Sequence, residues 1–338
     1  MKKFSLFSFF ILLFTAGKAQ FPVHPDSLYT FIRNNSAWKS TIKNWRPVDS
    51  VFKLQLKAAK NDVDTLQCFV RVLEKLNDVH SHFIYNNKYY SHYNPTDSFV
   101  LYKLQPLLTR AKNEKGQIST RMLDNGFVYV RIPSINASGA AAINQAAQTI
   151  YDSICQYHSR QPKGFVIDLR LNTGGNINAM LAGLSPVLGN GFLAFEIDSD
   201  EKLARKWSIL DGDFAMNAIK QTDLKKQSAV SFDKLPVAVL TSPITASAGS
   251  MVAIAFRGRT NSASFGDNTA DGYTTANGTY SFAPNLLFNF ASGFVADRTT
   301  KVHRNFVPVD LQILKDDNFD NPAMDDKIIT AIKWMQNR

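Results

Sequence analysis

Residues Val237 to Ala255, VAVLTSPITASAGSMVAIA, restrict the possible folds of this chain more than any other stretch. A β-rich apolar run (Val237 to Leu240) meets a Ser/Pro/Thr break, then the small-residue turn Ala246-Ser247-Ala248-Gly249 and a run of helix-like content. The pattern predicts a strand, a tight turn and a helix start, with Ser247 at the corner. A hydroxyl held there is exposed, and the helix N-terminus behind it offers free N–H groups and the positive end of a dipole. Two roles fit. Serine is a favoured N-cap, and the same corner suits a nucleophile whose oxyanion needs donors. Strand–turn–helix units with a capping serine are common, so the segment alone leaves both roles open.

The rest of the chain gives that unit its setting. Residues 25 to 80 read as helical, with Leu28, Phe31 and Ile32, then Val51, Leu54 and Leu56, then Leu66, Phe69, Val70, Leu73 and Leu76 at helical spacing. Residues 83 to 105 are Tyr- and Asn-rich and read as a hairpin or long loop. Beyond about residue 120, strand and helix alternate. Gly126 to Ile132 and Phe192 to Ile197 read as extended, Ala140 to Tyr157 and Asn176 to Leu188 as helical, and Ser264 to Asp267 as a further strand. Gly164 to Leu169 is a continuous apolar strand of the kind buried on both faces. Alternation of this kind predicts an α/β core with parallel strands. The expected organisation is a signal peptide over 1–19, a helical module over 20–82, a Tyr-rich hairpin or connector over 83–120, and an α/β core over 121–338.

The first 19 residues read as a processing signal: Lys2 and Lys3, an apolar run from Phe4 to Phe14, and small residues at Gly17 and Ala19 before Gln20. The expected mature protein is exported, periplasmic or extracellular, without a membrane span. No Cys follows the apolar run, which argues against a lipid anchor there. The formal charge of +10 falls to +7 without Lys2, Lys3 and Lys18, and the basic residues are scattered. That is a solvated basic surface rather than a nucleic-acid footprint. Cys68 and Cys155 are too few for a disulfide framework; a single disulfide or two buried thiols both fit.

Three further segments carry candidate chemistry. Asp168-Leu169-Arg170-Leu171-Asn172-Thr173-Gly174-Gly175 closes the buried strand, and the paired glycines permit close approach to the main chain, for an oxyanion or merely for packing. Neither phosphate-loop spacing is present. Leu76-Asn77-Asp78-Val79-His80-Ser81-His82-Phe83 ends the helical region. One histidine there acting as base to a serine is more economical than a metal site built from His80, His82, His92 or Asp78. Gly266 to Gly272 (GDNTADG) leads into a tail with Asp297, Arg298 and Val307-Pro308-Val309-Asp310.

Taken together, DLRLNTGG, the TASAG turn, GDNT.DG and the late V.P.D resemble the carboxy-terminal-processing, or tail-specific, serine proteases over most of residues 70 to 315. The resemblance implies a ClpP/crotonase-like α/β core with a mixed β-sheet flanked by helices, a peptide or protein substrate, and no metal or cofactor. It places the nucleophile at Ser247 and the oxyanion hole at Gly175, with Gly174 adjacent, and Ala248. The processing branch has a lysine base near Gly272-Tyr273, but no lysine occurs between Lys234 and Lys301. Ser250 also stands where that family usually has Glu. The tricorn-core and retinoid-binding-protein-like branch instead carries L.D.HS.F, which LNDVHSHF matches with the base at His80; His82 is the fallback. The third member is open: the aligned position is His303, and Asp297, Asp310 or a hydroxyl such as Ser81 are the other candidates. The roughly 30 residues between His92 and Asn125 are too few for the family's peptide-binding PDZ module, so Tyr85, Tyr89, Tyr90 and Tyr93 are expected either to line the cleft or to pack under the hairpin.

Overall fold

The computed structural model describes residues 21–92, 98–114, 116–226 and 230–338; the expected signal peptide and Tyr93 lie outside them. Three helices open the described chain: α1 (Pro25–Asn35), α2 (Arg46–Ala58) and α3 (Asp62–Leu76). Pro25 and Pro47 fit the first turns of α1 and α2, where an N–H has no intrahelical partner. α3 is capped by the Asn61 side chain on Asp64 N and stopped by Asn77 in the left-handed conformation. That stop turns the chain into the loop carrying His80. The hairpin β1 (His82–Tyr85) and β2 (Lys88–Tyr90) follows, then α4 (Ser98–Asn113). Where the sequence suggests a hairpin or long loop to residue 105, the hairpin ends at Tyr90 and a helix begins at Ser98. Pro106 lies inside that helix and interrupts its periodic signal.

The α/β core begins with β3 (Ser119–Met122), β4 (Val128–Arg131), α5 (Ala140–Cys155), β5 (Phe165–Asp168), α6 (Ile177–Gly183) and α7 (Ser185–Leu188). A meander of β6 (Gly191–Asp198), β7 (Leu203–Leu210), β8 (Asp213–Met216) and β9 (Ile219–Lys220) precedes β10 (Val237–Thr241). Then come α8 (Ala248–Phe256), β11 (Ser262–Gly266), β12 (Thr275–Ala283), β13 (Leu286–Ala296), β14 (Val302–His303), β15 (Leu311–Gln312) and α9 (Asp326–Met335).

Among the described residues these strands form two sheets. One runs β15–β11–β10–β5–β4–β3, parallel from β15 to β4 with β3 antiparallel. Its central strands are buried along their whole length, as the unbroken apolar runs at 165–168 and 237–241 predict. Alternate side chains go to opposite layers: Phe165, Ile167, Val237 and Val239 pack with α5, α6 and α8, while Val166, Ala238 and Leu240 pack with Ile328, Ala331 and Ile332 of α9. The second sheet is antiparallel, β2–β1–β13–β6–β7–β8–β9, with β12 and β14 also paired to β13.

The N-terminal helices share an aromatic core with this second sheet. Phe52 and Phe69 pack with Phe83 of β1 and with Phe288 and Phe290 of β13. Fully burying a Phe removes enough apolar surface to contribute about 1.5–3 kcal/mol, so this layer fixes the α3–β1 loop against β13. Cys68 and Cys155 are unbonded, buried thiols in two different cores. Burial pushes the Cys155 thiol up to about 11. No helix among the described residues is long and apolar enough to cross a membrane.

Candidate active site

Ser247 sits at the corner between β10 and α8 with φ +52 and ψ −122, a conformation costly for any residue with a Cβ. Its side chain makes no capping bond to α8, so helix capping does not account for it. Instead, Ser247 Oγ lies 3.0 Å from Nε2 of His80, whose ring is buried. His82 does not reach the serine. Its Nδ1 donates to the His80 carbonyl at 3.1 Å and its ring stacks on Tyr89.

The His80 loop is built from its own motif. The buried Asp78 carboxylate accepts from His80 N at 3.1 Å, Ser81 N at 2.9 Å and Ser81 Oγ at 2.5 Å, while Ser81 Oγ accepts from Ala291 N at 2.9 Å. Asp78 and Ser81 thus hold the backbone that presents the imidazole and do not touch its ring. Burial pushes the Asp78 carboxyl above its usual range despite these donors.

The partner of the ring is Thr275, the first residue of β12. His80 Nδ1 is 2.7 Å from Thr275 Oγ1, and the single hydroxyl proton of Thr275 goes to Asn277 Oδ1 at 2.8 Å. Thr275 Oγ1 therefore accepts from Nδ1–H, which leaves Nε2 as the acceptor facing Ser247. Desolvation, with a smaller contribution from His82, pushes His80 down to about 3. The imidazole is neutral across the physiological range.

The structure corrects the expected third members. His303 donates through Nε2 to Asp297 Oδ2 at 2.8 Å, and Asp297 also accepts from Thr299 N and Oγ1, closing the β13–β14 turn. Asp310 accepts from Ser264 N and Oγ and from Arg257, which clasps the tail to β11. These side chains are consumed by local turns and clasps, so none reaches His80. Thr275 gave no motif signal. Its one cue is position: it emerges from the GDNTADG loop just after Gly272-Tyr273, and the Tyr273 ring lies 5.0 Å from that of His80.

The paired glycines do different things. Gly174 N–H donates to Asn172 Oδ1 at 2.9 Å and is not available to an oxyanion, a correction to its expected share in the hole. It is glycine for space: a Cβ there would lie 2.9 Å from Ser247 Cβ. Gly175, at φ +117, could carry a Cβ only 2.3 Å from the Ile135 carbonyl oxygen. Its N–H has no partner among the described residues, and neither has that of Ala248, the first residue of α8. Both residues line a cleft of about 420 Å³ together with Ser247, His80 and Thr275. Ser250 faces away, its Oγ donating to the Thr245 carbonyl at 3.2 Å.

Neighbouring motif residues are structural. Arg170 is fully buried, bonded to Asp168, Asp317 and Asp325, with Tyr129 donating to Asp168 at 2.6 Å. Arg170 holds the Asp168 carboxyl below its usual range against the cost of burial. The Tyr-rich hairpin does not line the cleft: Tyr85 donates to Asp62, Tyr89 is exposed on His82, and Tyr90 packs on the aromatic core.

The model of peptidase family S41 matches residues 126–304, more than half of the chain, and the chain belongs to that family. It is 33% identical over 151 residues to the nisin-resistance protein of Lactococcus lactis subsp. lactis, a match covering 44% of this chain and 45% of that relative. The match thus spans less than half the relative's length. In fold the chain is similar to a lipoprotein from Streptococcus agalactiae (TM-score 0.68, 19% identity, 93% of this chain and 95% of that one). It is also similar to a putative peptidase from Parabacteroides merdae (TM-score 0.59, 17% identity, 94% and 97%). The photosystem II D1 C-terminal processing protease aligns with a TM-score of 0.53 and 15% identity over 86% and 92% of the two chains.

Proposed function

We propose that the protein is an exported serine peptidase in which Ser247 is the nucleophile and His80 the general base. The observation that carries this is the 3.0 Å approach of Ser247 Oγ to His80 Nε2 at a strained corner where the hydroxyl caps nothing. Ser247 Oγ attacks the peptide carbonyl carbon as Nε2 takes its proton; Gly175 N–H and Ala248 N–H donate to the oxyanion. The imidazolium then protonates the leaving amine, and water, deprotonated by the same nitrogen, releases the acyl group from Ser247. Thr275 holds the ring in the tautomer this needs and accepts from Nδ1–H throughout. No carboxylate among the described residues contacts the His80 ring, so the backbone oxyanion donors bear more of the charge stabilisation than in an acid-containing triad. The segment 1–19 supports export, and so does the lipoprotein description of the streptococcal neighbour.

Incubating the purified mature chain with a complex peptide mixture tests the reading. New termini are expected with wild type and not with Ser247→Ala or His80→Ala. Turnover of small esters without peptide cleavage would instead make it another acyl hydrolase. An absence of any Ser247-dependent turnover would make the cleft a binding site only.

A further inference from the structure

Glu196 is 4% exposed in the wall of the catalytic cleft, a costly place for a carboxylate that the chemistry above does not use. It stands opposite Arg205 in the β6–β7 register, so both side chains share one face. Oε2 accepts from Arg205 Nε at 2.7 Å and lies 2.6 Å from Nη2, while Oε1 accepts from the buried Trp207 Nε1 at 2.9 Å. Glu196 is thereby fixed at both oxygens and grips one edge of the guanidinium. The Arg205 side chain remains 41% exposed, and its Nη1 has no partner among the described residues. The end-on edge of the fork, Nη1 with the second Nη2 hydrogen, is open. Arg205 is the fixed positive charge among the described residues lining this cleft; the other polar groups there include Asn176, Asn178, Asn277 and Thr279.

We propose that Arg205, positioned by Glu196 and Trp207, is a specificity residue that receives a carboxylate of the peptide substrate in this cleft. A planar guanidinium with a free edge matches a carboxylate bidentately, and prior orientation removes part of the ordering cost. An acidic side chain and a C-terminal carboxylate present the same group. The inference rests on the peptidase reading, and its test separates the two.

A synthetic peptide mixture of randomised sequence, prepared as free acids and as C-terminal amides, is cleaved by the full chain and the products are read by mass spectrometry. A charge-assisted bond of this kind should enrich carboxylate-bearing peptides about 10- to 100-fold over neutral counterparts. Enrichment of Asp and Glu at a fixed distance from the cut bond identifies the side chain as the source; enrichment of free acids over amides identifies the chain end. Arg205→Gln should bring the ratio to about one, and Arg205→Lys should keep part of it, which a purely structural role would not do. Wild-type cleavage without enrichment, or undiminished enrichment with Arg205→Gln, overturns the proposal. Binding of Glu/Gln and acid/amide peptide pairs to Ser247→Ala is measured alongside. Arg205-dependent preference there without wild-type cleavage removes the peptidase reading and keeps this one; binding without that preference removes this one.

Discussion

His80 meets hydroxyls at both ring nitrogens, Ser247 at 3.0 Å and Thr275 at 2.7 Å, and this sets what single substitutions should do. Thr275→Val removes the acceptor for Nδ1–H and frees the ring to adopt the wrong tautomer. It should lower kcat/KM by about 10- to 100-fold, with Thr275→Ser near wild type, and move the His80 ¹⁵N signals away from the Nδ1–H form. Burial holds His80 down to about 3 in the folded chain. Its ring is therefore unprotonated well below the ordinary histidine range, and with His80 as the proposed base kcat/KM at pH 5.5 should stay within about twofold of its value at pH 7.5. An acidic limb near pH 6.5 would contradict this. The sequence pointed to Ser247 and His80 because each sits in a run of distinctive neighbours. It left the third member open, because the aligned position is His303 rather than an acid and the other candidates, Asp297, Asp310 and Ser81, carry no distinguishing pattern; Thr275 is separated from His80 by 195 positions and has no signature beyond its place after a loop.

At the scale of elements, Ser247 is held between two constraints, its own backbone and the glycine loop after β5. Ser247→Gly relieves the φ +52 strain and should raise unfolding stability by about 1 kcal/mol while abolishing turnover. Denaturant titration beside activity checks both halves. Gly174→Ala places a methyl 2.9 Å from Ser247 Cβ at φ +125, where alanine is itself strained. Under the proposed mechanism, displacing Ser247 this way should cost about 100-fold or more in kcat, since a shift of about 1 Å can cost that much. The sequence reading found β5, β10 and α8 from uninterrupted apolar runs. It did not resolve β12 and β13, whose Asn, Gly and Ser residues dilute the period-2 signal and whose register shifts at Ala276/Asn277.

Across the whole molecule, the site is a seam. Ser247 and Gly175 follow the C-terminal ends of β10 and β5 in the parallel sheet, whereas Thr275 opens β12 of the antiparallel one and His80 lies in the loop just before its strand β1. Gly272 packs against Val79 where a Cβ would lie 2.4 Å away, so the GDNTADG loop closes directly on the His80 loop. Such docking is non-local, and sequence periodicity carries no record of it; the α/β class was legible, the two-sheet arrangement was not. Arg170 ties β5 to the C-terminal segment through Asp317 and Asp325. Arg170→Leu strands buried carboxylates and should cost about 3–5 kcal/mol in denaturant unfolding.

The most direct test of the central assignment is covalent labelling of the intact chain with a fluorophosphonate, followed by mass spectrometry of the modified peptide. A single adduct on Ser247, lost in His80→Ala and slowed in Thr275→Val, is the expected result. No adduct on Ser247 in wild type, or labelling at the same rate without His80, would contradict it.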